Sequence, residues 1–320
     1  MLKLAPLPAL FLVAACGGGG STPAESIDPA VQPVRVDLTT AVPNQVGGPA
    51  PAGITVDPDT GEIYYLDARG GILRFDPIDQ SFELVADARE LYVVSPQSDF
   101  TDIAAMGNGD FAITAMNDGF LFDLDDRSIR QHFCYVPGWV IEDPRPLIQL
   151  TNSVAWDAVD RKLIAQPITM NTATNTNEQS ELGTFPETGG EGQDWHPIPD
   201  AEFLAGATTV DGGTIWLGCE DSLYRYDLTV DSLAFDQSLA RFEVTEIAGM
   251  AFRENELLVL DATTRQLVRI PRQLLTDASL LADDTVLAAR TGSTVRTSDS
   301  RRREIARRQA ARRQAAQQGR

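Results

Sequence analysis

Acidic and amide side chains recur at matching places in a repeated pattern, and they are the residues whose type and spacing best suit chemistry. Each lies where a turn or a connection between short apolar runs is expected. The set is Asp67, Asp102, Asn152, Glu220, Asp221 and Asp261. Carboxylate and amide oxygens are the ligands that hard cations prefer, so this set could hold a ligand or Ca²⁺ if its members converge. Asp and Asn are also the residues that tight turns require, so the same side chains could serve only as turn and surface residues.

Other constellations that support catalysis are weak in this chain. His132 and His196 have no second histidine at metal-ligand spacing, which disfavours zinc. No G-x-S-x-G elbow occurs, and residues 57–59 and 123–125 lack the glycine and glutamate of an EF-hand loop. The sequence therefore assigns no catalytic residue and no cofactor other than a candidate Ca²⁺.

The elements that position these side chains are short strands in a repeating unit. The first copy, residues 52–85, reads AGITVDPDTGEIYYLDARGGILRFDPIDQSFELV: alternating apolar runs separated by D-P-D-T-G and A-R-G-G turns. Similar units begin near residues 102, 153, 206 and 248, at intervals of roughly 50 residues. Four-strand units at this period predict an all-β propeller over residues 31–290 with five clear blades.

A sixth blade could be assembled from the two ends of this region. The leading stretch 31–38 and the trailing stretch 279–290 both contain apolar runs. Pairing a strand from one terminus into a blade from the other would close the ring without an exposed edge.

Propeller topology places the second-to-third-strand turns and the blade-to-blade connections on one face. Those are the places that hold the acidic set, so we expect this face to meet the ligand. The polar segment 170–180 and the connection 138–150 are long and also fall there. Long loops on one face are where binding specificity is normally built.

The amino terminus reads MLKLAPLPALFLVAACGGGGS. A lysine followed by an apolar run too short to span a bilayer fits a signal peptide over residues 1–15. The residues VAAC resemble the lipobox of bacterial lipoproteins, which implies that Cys16 is acylated and becomes the new N-terminus. Residues 16–30 would then form a flexible tether, and the absence of aspartate after Cys16 implies an outer-membrane anchor facing the periplasm. The alternative is an ordinary signal peptide with an incidental cysteine.

The repeated units resemble six-bladed propeller families, namely NHL repeats and the SMP-30/gluconolactonase-like group. The resemblance covers about residues 52–270 and rests on turns and apolar pattern. In the gluconolactonase-like group a divalent metal at the channel mouth is held by acid and amide side chains, so the resemblance implies such roles for Asp102 and Asn152. The expected glutamate near the first blade is absent, since Ala-Pro-Ala stands at residues 50–52.

Charge separates the chain into an acidic body and a basic end. The formal charge is −20, but residues 301–320 hold eight arginines and one glutamate, leaving −27 for residues 1–300. Such a body repels nucleic acid, which is not an expected partner. We expect residues 291–320 to be disordered or weakly helical, with a solvated tail, lipid phosphate or the acidic propeller itself as the alternatives.

These features together predict a lipid-anchored β-propeller of the cell envelope that acts as a non-catalytic binding or scaffold module. The expected partners are the membrane, through the anchor, and an envelope protein or small ligand at the propeller face. The alternative is a metal-dependent hydrolase or lactonase with a divalent cation at the channel mouth. Export would also place Cys134 and Cys219 in an oxidising compartment, and whether they pair stays open.

Overall fold

The computed structural model describes residues 31–42, 49–90, 99–115, 118–133, 147–171, 174, 176–200 and 203–275. Cys16, Cys134, residues 138–146, the stretch 279–290 and the arginine-rich end lie outside these ranges. None of the helices that the structure describes is long and apolar enough to cross a membrane.

Within these ranges the chain forms five antiparallel sheets of four strands each. The first sheet contains β2 (Pro51–Val56), β3 (Ile63–Asp67), β4 (Gly71–Asp76) and β5 (Ser81–Asp87). The second contains β6 (Phe100–Gly107), β7 (Asp110–Ala115), β8 (Asp118–Asp123) and β9 (Ser128–Phe133). The third contains β10 (Leu147–Asp157), β11 (Lys162–Asn171), β12 (Thr176–Pro186) and β13 (Asp194–Pro197).

The fourth sheet contains β14 (Ala207–Asp211), β15 (Thr214–Cys219), β16 (Ser222–Asp227) and β17 (Ser232–Ser238). The fifth contains β18 (Ile247–Arg253), β19 (Glu256–Asp261) and β20 (Gln266–Pro271), with β1 (Val34–Asp37) outermost. Two four-residue helices, α1 (Leu38–Ala41) and α2 (Arg272–Leu275), follow β1 and β20. Short 3₁₀ turns occur at Ala88–Glu90 and Ala240–Phe242.

The five sheets are the blades of a closed β-propeller, which confirms the predicted fold class. Their first strands β2, β6, β10, β14 and β18 contact one another in that order, and β18 contacts β2. The closing contact is tight, because a Cβ added to Gly249 would lie 2.9 Å from the Cα of Gly53. Within the described residues, the ring of inner strands thus closes with five blades.

Closure uses a strand from the amino-terminal side, as expected, but that strand belongs to the fifth blade. β1 pairs antiparallel with β20, with Val34 opposite Arg269 and Asp37 opposite Gln266. The leading stretch assigned to a sixth blade therefore supplies the fourth strand of the fifth. The trailing stretch 279–290 lies outside the described residues.

The core lies between neighbouring blades rather than inside any one of them. One cluster joins the first two blades, where the rings of Tyr64 and Phe111 meet edge to face at 4.9 Å. Another joins the third and fourth blades and contains Leu182, Phe203 and Leu217. A four-stranded sheet cannot bury both of its faces alone, so each blade depends on its neighbours for burial.

Connections differ in length between the two ends of the propeller. We call the end with the first-to-second and third-to-fourth strand turns the turn face, and the opposite end the loop face. Turns on the turn face contain two to seven residues, from 212–213 to 187–193. Connections between blades on the loop face contain 8 to 13 residues, from 239–246 to 134–146.

Aspartates stabilise the turns of the turn face by accepting backbone N–H groups. Asp57 Oδ1 accepts from Asp59 and Thr60, both at 2.9 Å, and Asp76 Oδ1 accepts from Ile78 at 2.7 Å. These are Asx turns, which explain why the repeat places an aspartate at the end of a strand.

Candidate functional site

The predicted site residues lie at the loop face, and four of the six are strand residues rather than residues of turns or connections. Asp67 and Asp261 end β3 and β19, and Glu220 and Asp221 form the turn before β16. Asp102 and Asn152 were expected in blade-to-blade connections. They lie inside the inner strands β6 and β10 instead.

Asp67 is fully buried and binds backbone on both sides of its turn. Its Oδ2 accepts the N–H of Ala50 at 2.8 Å, from the segment leading into β2. Its Oδ1 accepts hydrogen bonds from the backbone N–H and the side-chain Nε–H of Arg69, both at 2.9 Å. Burial and the adjacent Asp67 carboxylate raise the pKa of Tyr65, which keeps its hydroxyl a donor toward Asp67 Oδ2. The carboxylate therefore fastens the turn of the first blade to the start of its inner strand.

Asp261 repeats this arrangement in the fifth blade. It is also fully buried, and its Oδ2 accepts the N–H of Thr245 at 2.7 Å, from the segment leading into β18. Its Oδ1 accepts the N–H groups of Thr263 and Thr264 at 2.9 and 3.0 Å. In both blades, the aspartate at this position therefore fastens the turn to the start of the inner strand.

The turn of the fourth blade uses its acids differently. Glu220 is exposed, with a left-handed φ of 54°, and its carbonyl accepts the N–H of Ile247 at 2.7 Å. Asp221 accepts hydroxyls from Ser222 at 2.7 Å and from Ser238 at 3.0 Å. These contacts tie the turn to β17 and to the fifth blade.

Asp102 links the second blade to the third. Its side chain is almost fully buried, Oδ2 accepts the N–H of Val154 at 3.0 Å, and Oδ1 accepts the N–H of Ile103 at 2.9 Å. Gly53 leaves room for this carboxylate, since a Cβ there would lie 2.4 Å from Asp102 Oδ1. Asp102 therefore lies where three inner strands meet.

Asn152 links the third blade to the segment that leads into the fourth. Its side-chain amide donates to the carbonyl of Ala205, and the neighbouring Ser153 hydroxyl lies 2.6 Å from the hydroxyl of Thr208. Both residues are buried.

Register shifts between the first and second strands bring these side chains into position. Strand pairing shifts between Phe100 and Asp102 in the second blade and between Thr151 and Val154 in the third. Comparable shifts occur at the loop-face ends of β2 and β18. A bulge re-aims side chains by adding one residue to a strand, which the alternation of apolar residues does not predict.

Two further polar residues join blades and were not identified from the sequence. Thr55 accepts the N–H of Ala105 at 2.9 Å across the first boundary. Gln166 is fully buried and donates to the Ser180 hydroxyl at 2.9 Å, while its carbonyl accepts the N–H of Ala205 at 3.1 Å. A glutamine inside an apolar strand run is the signal that could have indicated such a role, because buried polar groups require partners.

A histidine–aspartate pair also lies on the loop face. His132 Nδ1 is 2.8 Å from Asp118 Oδ2, and the Asp118 side chain is buried while the imidazole is partly exposed. The pair forms because β8 and β9 place Phe120 opposite His132, two residues from Asp118. Sequence spacing gives no sign of it, since strand register alone determines the contact.

The predicted set does not assemble into a metal centre within the described residues. Among them, no group of three or more acidic, histidine or cysteine side chains is arranged to hold a metal ion. Parts of the loop-face connections lie outside the described ranges, so Ca²⁺ stays a prediction.

The predicted long polar segment of the third blade is mostly strand. β11 extends to Asn171 and β12 begins at Thr176, leaving only residues 172–175 between them. Cys219 is buried at the end of β15. Its pairing with Cys134 is untested, because Cys134 is outside the described residues.

The channel itself contains a cavity of about 200 Å³ that opens toward the turn face, at the opposite end from the predicted residues. Its wall is formed by small, apolar and hydroxyl side chains, among them Thr55, Ala104, Ala155 and Thr209. Asp157 also lines it, but Asp157 Oδ1 accepts the N–H groups of Val159 and Asp160 at 3.0 and 3.2 Å.

No protein-family model matches the chain, and no curated protein matches it. Among solved structures, a luciferin-regenerating enzyme aligns with a TM-score of 0.41 at 12% identity, over 74% of this chain and 94% of that one. The score is too low to bear on activity. The assignment as a β-propeller rests on the sheet topology described above.

Proposed function

We propose that this protein is a lipid-anchored, periplasm-facing module of the cell envelope whose loop face binds an envelope protein or a small ligand without catalysing a reaction. The observation that carries the proposal is the engagement of the loop-face acids. Asp67, Asp102 and Asp261 each accept N–H groups with both carboxylate oxygens, so they hold the backbone of the propeller.

The distribution of connection lengths supports the loop face as the binding surface. Every connection between consecutive blades lies on this face and contains at least eight residues. The turn face carries shorter turns, several of them fixed by Asx hydrogen bonds. Longer connections on a rigid ring can vary in shape and composition without altering the blades, which is the usual basis of specificity.

The chain ends lie together at the rim of the propeller. β1 begins, and β20 ends, at the turn-face ends of their strands, where Val34 pairs with Arg269. Val31 and Leu275 then pack on the cluster between the fourth and fifth blades, so an anchor at Cys16 would attach at the rim beside these two blades. The VAAC resemblance to a lipobox is the basis for the anchor, and the glycine at residue 17, where aspartate would favour the inner membrane, is the basis for placing it in the outer membrane.

The alternative, a lactonase-like hydrolase, receives less support. A metal ligand or general base needs an oxygen available to the ion or to water, and both oxygens of Asp102 already accept buried N–H groups. The described part of the chain also closes its ring of inner strands with five blades, whereas the gluconolactonase-like group has six. A Ca²⁺ ion held by loop-face residues outside the described ranges would be structural or ligand-binding under this proposal.

Two measurements test the proposal. Mass spectrometry of the envelope-purified protein should find an acylated Cys16, and Cys16→Ser should release the protein from membranes. A photo-crosslinking residue at Glu220 on the loop face should give one discrete adduct in cells, with a matched probe at exposed Val159 on the turn face as control.

A metal-dependent hydrolase would give a different, equally specific result. Lactone hydrolysis by the purified protein that is abolished by EDTA and by Asp102→Ala, with the fold intact, would replace the binding proposal by the hydrolase. Equal crosslinking from Glu220 and Val159 would remove the assignment of the loop face.

A further inference from the structure

The channel cavity opens at the turn face and is lined by the inner strands of all five blades. Two aromatic side chains, Trp156 and Phe252, form part of its wall near the turn-face ends of β10 and β18. Its volume, about 200 Å³, is below the roughly 300–1,000 Å³ of sites for drug-sized molecules, so it suits a small ligand. Each inner strand also contributes one small side chain to the wall: Thr55, Ala104, Ala155, Thr209 and Ala251.

Asp157, the last residue of β10, places a buried carboxylate against this cavity. The residue is only 3% exposed and forms part of the wall. Its Oδ1 accepts the N–H groups of Val159 and Asp160, whereas its Oδ2 accepts no hydrogen bond from any residue that the structure describes. Lys162 lies opposite Asp157 in the strand pairing but donates to Asp160 Oδ2 at 2.8 Å. One carboxylate oxygen of Asp157 is therefore available to a donor in the channel.

The hydroxyl of Thr209 is a second polar group of the wall. Thr209 belongs to the neighbouring fourth blade, is 9% exposed, and makes no side-chain hydrogen bond within the described ranges. The other two threonines of the wall are engaged, since Thr55 accepts the N–H of Ala105 and Thr208 contacts the hydroxyl of Ser153. Buried polar groups normally have partners. Adjacent blades thus offer a carboxylate oxygen and a hydroxyl oxygen to a ligand that donates hydrogen bonds.

The charges around the cavity mouth favour a cation. Asp59 and Glu254 are exposed in the first-to-second strand turns that border the mouth, and neither forms an ion pair with a described residue. Basic side chains in or beside these turns are each paired with an acid: Arg161, Lys162, Arg253 and Arg272. Unpaired acids next to compensated bases give the mouth a negative potential, which attracts cations.

We propose that the channel cavity binds a small organic ammonium ion, which donates hydrogen bonds to Asp157 Oδ2 and to the Thr209 hydroxyl. Hydrogen bonds between an ammonium group and a carboxylate are roughly twice as strong as those between neutral groups. The carbon chain of the ligand lies against the alanines of the wall. A Ca²⁺ ion fits less well, because it takes about six to eight oxygen ligands and this wall offers one available carboxylate oxygen. The cavity is at the opposite end of the channel from the loop face, so this site is separate from the binding surface proposed above.

Calorimetric titration of the full chain at neutral pH tests the site, with butylammonium and 1-butanol as probes of similar size. We expect butylammonium to bind at least tenfold more tightly than 1-butanol. Asp157→Asn keeps an oxygen that can accept the N–H groups of the turn but removes the charge. It should weaken butylammonium binding about tenfold or more and leave 1-butanol binding unchanged. Thr209→Val, which removes only the hydroxyl, should weaken butylammonium binding about threefold to tenfold.

Asp57 provides the matched control in the first blade. It ends the same kind of inner-strand turn, is 4% exposed, and accepts the N–H groups of Asp59 and Thr60 through Oδ1. Asp57 does not form part of the cavity wall. Asp57→Asn therefore makes the same change in net charge and in turn chemistry, and it should leave butylammonium binding unchanged.

Three results would overturn the proposal. Equal affinity for butylammonium and 1-butanol would show that the cavity does not select a charged donor. Equal weakening by Asp157→Asn and Asp57→Asn would assign the effect to net charge or to the turns in general. No binding of butylammonium by the folded chain would exclude a small ammonium ion as the occupant. None of these results bears on crosslinking from Glu220 at the loop face, so the two proposals are judged separately.

Discussion

The carboxylate of Asp102 accepts the N–H of Val154 at 3.0 Å across the boundary between the second and third blades. This contact joins two inner strands that do not share a sheet. Asp102 resembles a metal ligand in the sequence. In the structure it holds two neighbouring blades together.

Asp102→Ala should destabilise the propeller by about 2–4 kcal/mol, because it leaves buried N–H groups of Ile103 and Val154 without their acceptor. Asp102→Asn keeps one oxygen acceptor and should lose less. Urea denaturation measures both, with exposed Asp79→Ala as a control expected to change stability by less than about 0.5 kcal/mol. A stable Asp102→Ala variant would contradict the bridging role.

The turn carboxylates of the loop and turn faces should differ in how much they contribute to stability. Buried Asp261 accepts three backbone N–H groups, so Asp261→Ala should cost about 2–4 kcal/mol. Asp227 makes a similar turn contact with Thr229 but is exposed, and Asp227→Ala should cost less than about 1 kcal/mol. Thermal unfolding of the two variants gives the comparison. Similar losses would mean that burial does not set the contribution of these turns.

Local sequence chemistry predicted the blades well because their turns are encoded within a few residues. The aspartate that begins each Asx turn and the alternating apolar runs around it depend only on neighbouring positions, as in residues 57–61. The number of blades depends on a contact between distant strands. β1 pairs with β20 across more than 200 residues, and no local pattern specifies that partner.

The site was harder to predict than the fold, because bulges and strand register decide where its side chains point. Asp102 and Asn152 follow or lie within register shifts that turn them toward the next blade. The chemical type of these two residues and their end of the propeller could be predicted from the sequence, whereas their hydrogen bonds across the blade boundaries could not. His132 and Asp118 show the converse, since their contact arises from pairing alone.

Closure of the ring between the fifth and first blades should be sensitive to a single methyl group. A Cβ at Gly249 would lie 2.9 Å from Gly53 Cα and from Ile54 N, both backbone atoms that cannot move aside alone. Gly249→Ala should therefore destabilise the protein by about 1–3 kcal/mol. It should also speed amide exchange in β2 and β18. Gly213→Ala is the comparison, because its Cβ would meet nothing within 4 Å and only its φ of +80° is unfavourable.

If Gly213→Ala speeds exchange in β2 and β18 as much as Gly249→Ala does, the effect is general loss of stability rather than a steric clash at the closing contact. A stability unchanged by Gly249→Ala would mean that the inner strands can separate without cost. Either result would contradict the tight closure described for these two blades.

Asp110 and Asp123 are neighbours whose pKa values shift in opposite directions, so together they test how stability depends on pH. They lie directly opposite each other on β7 and β8, and Arg130 donates to both. Burial, together with the charges of Asp123 and Asp125, raises the pKa of Asp110 above its ordinary 3.8. The N–H of Asp126, with Arg130, lowers the pKa of Asp123 below the same value.

The two shifts act in opposite directions on folding. A raised folded pKa means that the native state holds its proton more tightly, so Asp110 opposes folding once pH exceeds 3.8 and the unfolded carboxyl ionises. A lowered folded pKa means that Asp123 stabilises the fold above 3.8 and loses that contribution as pH falls through its folded pKa. Asp110→Asn should therefore raise the free energy of unfolding at neutral pH, whereas Asp123→Asn should lower it. Urea titrations at a series of pH values, from neutral to the lowest pH at which the protein folds, measure both differences in the free energy of unfolding. Both differences should become smaller as the pH falls. A loss of stability for Asp110→Asn at neutral pH would show that the ion pair of Asp110 with Arg130 outweighs the cost of burying its charge.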